Sequence, residues 1–347
     1  MEATLAKNTY ANAWLRNPGF DLMFIVGLAV IAIASGFIVV ARPELFGFIL
    51  FLDLWLLGYH HVISTYTRLC FDKESFKEHR FVLFVLPILV FTCVAGLGIG
   101  VGLWTITSIY LYWQWFHYTR QSWGISQGYR RKTGEKLNEN ELLLKATFYL
   151  LPLWGILYRS WQAPDKFIGA ELVVIPTPEW LVDIVGLLAV GTILVWGFQR
   201  FRSHQQGKLI GVHTLYMISH FSVFYVGYVY IEDITYGWLT INIWHNAQYI
   251  LFVWLFNNKR YQKGIDPKAR FLSRISQNKN RWLYMVICLS LTTVVYSSID
   301  SLQNVIYAIG IPSLVLVYQS LNFHHYIVDS IIWKMRKPQM KKTLGLS

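Results

Sequence analysis

The chain has 347 residues, of which 54% are hydrophobic and 14% charged, with a mean hydropathy of +0.38. Soluble domains carry roughly 25% charged residues, so the composition excludes an ordinary soluble enzyme. The net charge of +12 reads first as membrane topology rather than nucleic-acid affinity, and no nucleic-acid partner is expected. Cys70, Cys93 and Cys288 cannot all pair, and two of them lie inside apolar runs, so no disulfide framework is indicated.

Apolar runs ended by charge predict an all-α bundle: a single transmembrane domain over residues 1–347 with about ten spans. They cover roughly 20–41, 45–67, 81–103, 104–128, 142–161, 181–198, 209–231, 238–257, 282–299 and 305–333. Each is near the length needed to cross a hydrocarbon core of about 30 Å. The third and fourth require a tight hairpin around Gly100 and Gly102. The first is too long to be a cleaved signal peptide, follows 19 residues and has no small-residue cleavage site. No soluble domain, repeat or Gly/Ser-rich linker is present.

Charge asymmetry sets the orientation. With the N-terminus inside, only Arg42, Arg159 and Lys166 fall outside, leaving 31 − 3 = 28 basic residues on the inner side. Their clusters lie at 68–80, 120–145, 200–208, 259–281 and 334–342, whereas Glu232, Asp233 and Asp300 fall outside. By the positive-inside rule both termini are cytoplasmic, and the expected location is a bacterial inner membrane. The basic loops also suit anionic lipid surfaces.

Of ten histidines, His79 and His204 fall in loops, while His60, His61, His117, His213, His220, His245, His324 and His325 fall in spans. Ionisable groups in spans are costly and by default face a bundle interior. At about 1.5 Å per residue, all eight lie about 8 to 20 Å from the cytoplasmic boundary. Polar stripes run with them. Asp53, His60 and Ser64 share one face of the second span, with His61, Thr65 and Arg68 beside it; Gln114, His117, Gln121 and Gly124 mark the fourth, with Arg120 adjacent. His213 and His220 are two turns apart; Asn242, His245 and Asn246 mark the eighth span; Asn322, His325 and Asp329 mark the tenth, with His324 next to them.

Imidazole is a ligand for iron, copper and zinc. Adjacent histidines point about 100° apart on a helix, so His60/His61 and His324/His325 cannot chelate side by side. Eight imidazoles exceed the need of one ion, and two ions are expected, iron before copper or zinc, with haem as the alternative cofactor. Asp53, Asp329, Gln121 and Asn246 are the expected outer partners that orient the ligand rings, and Arg120 with Gln121 the expected headgroup or outer contacts. Gly96, Gly98, Gly100 and Gly102 read as small-residue helix packing. The tyrosines and tryptophans of the fourth span, Tyr118 among them, read as packing. No phosphate loop, Cys-x-x-Cys or nucleophile elbow is present.

Histidines on several helices near one face of an aromatic-rich bundle resemble the integral-membrane non-haem iron oxygenases: desaturases, hydroxylases and alkane monooxygenases. That family's His-x-x-x-His and His-x-x-His-His clusters do not occur here, so no residue role is carried over. A second likeness is to the bacterial membrane carotenoid-cleaving dioxygenases, also multi-spanning and histidine-dependent. Gly-Tyr-His-His, His-Tyr-Thr-Arg-Gln and Asn-Phe-His-His-Tyr have the style of a bacterial membrane family. The resemblance implies a metal-dependent oxidoreductase using dioxygen on a lipid-like substrate from the bilayer, served by an electron-donor protein on the cytoplasmic face. The alternatives are a proton- or metal-coupled transporter whose histidines form a relay, and a haem-binding electron-transfer protein. A reporter fused after Ser347 should read as cytoplasmic; a periplasmic or extracellular reading reverses the orientation.

Overall fold

The computed structural model describes residues 13–132, 140–334 and 337–346. It is 83% helix, with one short hairpin in which Lys166–Phe167 pairs antiparallel with Ala170–Glu171. The long helices follow the apolar runs in chain order. They are α1 (Pro18–Ala41), α2 (Pro43–Cys70), α3 (Phe81–Gly100), α4 (Leu103–Arg131), α5 (Glu141–Gln162) and α6 (Glu179–Gln205). Then come α7 (Gly211–Tyr225, extended by a π turn at Val226–Tyr230), α8 (Ile234–Arg260), α9 (Arg281–Ser301) and α10 (Leu314–Ile332). Gly102, at φ +131°, makes the α3–α4 hairpin, a conformation that only glycine adopts cheaply.

The tenth segment starts later than expected from its apolar run, which opens at Val305. A short helix, Gln303–Ala308, ends there, Gly310 turns left-handed at φ +87°, and Ser313 caps α10 by accepting from the Val315 N–H. Hydropathy is blind to this break because Ile309 and Ile311 flank the glycine. The glycine stripe of α3 also differs from its reading. Only at Gly98 does an added Cβ meet another helix, 2.4 Å from Leu316, whereas at Gly96 and Gly100 it meets nothing within 4 Å.

Among the described residues, α1, α2, α3, α5, α6 and α9 are long and apolar enough to cross a membrane. They turn large apolar side chains outward, as at Val30, Phe84, Ile88, Leu187, Leu194 and Val294. The other four helices, α4, α7, α8 and α10, carry six of the eight span histidines, and those polar residues lower their hydropathy. α8 lies at the centre, with every residue from Gly237 to Ile250 buried. A helix buried on all sides, polar residues included, must find its partners inside the bundle.

One such partner is Arg159, which the charge pattern assigned to the outer end of the fifth span. Its guanidinium is fully buried and reaches back to α7, donating to Gly227 O at 3.0 Å, Glu232 O at 2.5 Å and Ile231 O. The last carbonyls of a helix have no intrahelical donor, and Arg159 supplies three. Replacing it with Met leaves the Gly227 and Ile231 carbonyls buried and unpaired at about 1–3 kcal/mol each. Arg159→Met should therefore lower the thermal midpoint in detergent markedly. Arg42→Gln, at an exposed ion pair with Glu44 (3.7 Å), should leave it nearly unchanged, since such pairs contribute about 0–1 kcal/mol. Equal midpoints would contradict the capping role.

Candidate metal centre

Four imidazoles from four helices converge in the middle of the bundle: His61 on α2, His117 on α4, His245 on α8 and His325 on α10. All are at least nine-tenths buried. Ring centroids are 4.4 Å apart for His61 and His325, 4.8 Å for His61 and His245, 5.0 Å for His117 and His245, and 5.3 Å for His117 and His325. Asp329 lies one turn after His325, the i,i+4 spacing that places both on one face. One ligand atom each from His61, His117, His325 and Asp329 lies within 4.8 Å of all the others.

A local irregularity brings His61 rather than His60 to this point. Asp53–Gly58 is a π turn, which holds one residue more than an α turn. In a regular helix Asp53 and His60, seven apart, share a face. The extra residue moves His61 into line instead. Asp53 and His61 then both face α8: Asp53 Oδ2 accepts from Asn242 Nδ2 at 2.5 Å, and the His61 ring lies beside His245.

The hydrogen bonds around the cluster leave ligand atoms turned inward. Tyr249 donates to Asp329 Oδ1 at 2.7 Å, Thr65 donates to the same oxygen at 3.2 Å, and the Trp333 indole donates to Tyr249 at 2.8 Å. Oδ2 is thus left facing His325 Nε2 at 3.4 Å and His117 Nε2 at 4.0 Å. Thr65 Oγ1 is 2.9 Å from His325 Nδ1. With the threonine proton on Asp329, that ring nitrogen is the donor, and the His325 Nε2 lone pair points into the cluster. His325 Nε2 and His61 Nε2 face one another at 2.6 Å. Among the described residues, the buried His117 Nε2 and His245 Nε2 have no hydrogen-bond partner. Buried orphan nitrogens beside a half-satisfied carboxylate fit a cation, since unpaired buried polar atoms are rare. A set of imidazoles with one carboxylate suits iron or zinc.

Aromatic rings fix the imidazoles. Tyr249 stacks on His61 at 4.1 Å and 3°, and Tyr326 on His117 at 4.2 Å and 25°. Tyr118 lies 3.9 Å from His245 and donates to Asn242. These outer partners escaped the polar stripes because tyrosine reads as packing. The available signal was spacing: Thr65 follows His61, Tyr249 follows His245 and Asp329 follows His325 by four residues.

The remaining histidines are held elsewhere. His324 donates from Nε2 to Val82 O at 2.8 Å and lies 2.5 Å from the Tyr66 hydroxyl. His220 donates to Phe148 O at 3.2 Å and contacts Ser122 at 3.0 Å. His213 lies between Ser126 at 3.0 Å and Arg200 at 3.3 Å. His60 donates to Leu56 O at 3.2 Å. Among the described residues a single His/carboxylate group forms, so the expectation of two ions meets one such site. Of the expected outer residues, Gln121 donates to His245 O at 3.4 Å. Arg120 is exposed and sits over the Phe116 ring. Asn246 lies against Gly58.

A cavity of about 560 Å³ opens between α4 and α10 and ends on the cluster. His117, Asp329 and Tyr249 line it, with Trp113, Phe116, Tyr326 and Trp333 as apolar walls and Arg120, Arg131 and Lys334 as basic groups. No protein-family model, curated protein or solved structure matches this chain.

The geometry separates the histidines experimentally. His117→Ala and His325→Ala should remove bound metal, and Thr65→Val, which frees the far nitrogen of His325, should weaken it about 10–100-fold. His213→Ala, His220→Ala, His79→Ala and His204→Ala should keep metal per folded chain at the parent level. Elemental analysis of the folded fractions checks this; equal metal in every variant would make the cluster structural.

Proposed function

We propose that the chain is an integral-membrane metal-dependent oxidoreductase of the oxygenase type. In this reading it crosses the bilayer ten times with both termini cytoplasmic, and acts with dioxygen on a hydrophobic substrate that enters from the bilayer. The observation that carries the reading is that His117 and Asp329 belong both to the ligand cluster and to the lining of the cavity. A structural metal site is closed, whereas a catalytic one keeps an open side. Here the open side faces a cavity within the roughly 300–1,000 Å³ range of small-molecule pockets.

His61, His117, His325 and Asp329 would hold the ion, with His245 beside them. Two imidazoles and a carboxylate are the ligand types of oxygen-using non-haem iron sites, so iron is the proposed metal. Bound there, iron would supply dioxygen binding and electron transfer. The chain's own groups do the rest. Tyr249 and Thr65 occupy Asp329 Oδ1 and so orient Oδ2. Thr65 fixes the His325 tautomer. Trp333 donates to the Tyr249 hydroxyl and so holds that hydroxyl's proton on Asp329 Oδ1. The aromatic walls shed water from a reacting apolar chain.

Purified protein should hold about one iron per chain, and occupancy should fall on acidification, because protons compete for imidazole lone pairs. Chelation should abolish substrate-dependent oxygen uptake, and iron should restore it. A metal-free preparation that remains fully active would overturn the reading, as would a Soret band in the active protein.

A further inference from the structure

The α4 wall of the cavity is a stripe at spacings of three and four: Trp113, His117, Arg120, Gly124, Gln127 and Arg131. It is graded in chemistry. At the Trp113 end, Phe116 and Tyr326 make the wall apolar. At the other end the cavity is lined by Gln127 and Arg131, with Lys334 from the end of α10. Gln127 is only 6% exposed. Its Oε1 accepts from Arg130 at 3.3 Å, which leaves Nε2 as the free end of the amide. Nε2 is buried and has no partner among the described residues. A buried amide donor left unpaired is costly. With Lys334 lining the same end, the two side chains offer a donor and a positive charge to whatever enters.

We infer that this end of the cavity binds an anionic oxygen head, a carboxylate or a phosphate, of a single-chain amphiphile whose apolar tail runs past His117 and Asp329 toward Trp113. A neutral hydrocarbon would leave the Gln127 amide unpaired and bring no counter-charge to Lys334. Ten residues of helix separate Gln127 from His117, about 15 Å, so the tail meets the cluster well away from the head. The inference rests on reading the cavity as the substrate pocket, but head binding needs no metal, so the two can fail separately.

The test uses metal-stripped full-length protein in phosphatidylcholine nanodiscs at about pH 9, far above the ordinary carboxylate pKa of roughly 4. The probes are palmitate, hexadecyl phosphate and methyl palmitate, titrated against the parent, Gln127→Leu and Lys334→Gln. Either anionic probe should bind the parent at least about tenfold more tightly than the ester, the value of one good charged hydrogen bond; the tighter of the two identifies the head. Each variant should lose about tenfold for that probe and nothing for the ester. Lys334 is exposed, so its variant keeps the test decisive if Gln127→Leu fails to fold. Equal binding of ester and anions by the parent overturns the inference, and so does an anion preference that persists unchanged in the folded variants. Head recognition intact in a protein that never holds metal would overturn the proposed function alone.

Discussion

Two ring nitrogens 2.6 Å apart, His61 Nε2 and His325 Nε2, impose the constraint on which the interior depends. Both cannot carry a proton, because the hydrogens would collide. Both cannot point lone pairs at each other, because the dipoles repel. Either they share one proton or a cation accepts both. His117 and Asp329 Oδ2 approach the same point, which favours the cation. Removing a charge from water costs several kcal/mol even after relaxation, so a cation here needs anionic and lone-pair donors already in place. The Thr65, Tyr249 and Trp333 hydroxyl and indole groups provide that order by leaving Asp329 only one free oxygen.

The bundle is organised around this requirement. Among the described residues, six helices are long and apolar enough to cross a membrane, and the polar ones pack against them. Helix α8 shows the logic: Asn242, His245, Asn246, Gln248 and Tyr249 are all buried, and several act across helices. Asn242 joins Tyr118 of α4 to Asp53 of α2. Gln114 ties α4 to α8 by accepting from Trp238 at 2.8 Å. Polar contacts inside an apolar surround fix register and rotation, because sliding a helix would orphan each of them.

Much of this was legible before any fold was known. Helix positions follow from apolar runs, and the turn at Gly102 follows from a residue with no Cβ. The concentration of histidine in spans pointed to an interior site. Which histidines meet was legible in part: the stripes of His117 and of His325 with Asp329 lead into the cluster, whereas His220, two turns from His213, lies elsewhere. On α2 only rotation about the helix axis separates His61 from His60, and regular periodicity gives that rotation wrongly because the helix is not α throughout. The role of Arg159 was hidden for a related reason: the carbonyls it caps lie at the end of α7, remote in sequence. Gln127 carried no signal at all, since an amide near a basic helix end is ordinary.

The π turn at Asp53–Gly58 gives the histidine doublet of α2 a meaning beyond ligand supply. One residue of surplus in that turn decides which neighbour faces the cluster. Rewinding the turn as a regular α turn with no residue removed, and with Asp53 still anchored to Asn242, would swing His61 about 100° away and carry His60 into its place. The doublet and the widened turn together form a vernier. Helix winding, a soft backbone variable, is thereby coupled to the identity of a ligand. Thr65, four residues after His61 and bonded to His325 and Asp329, turns with it, so the same winding sets the ligand and the group that orients its neighbours.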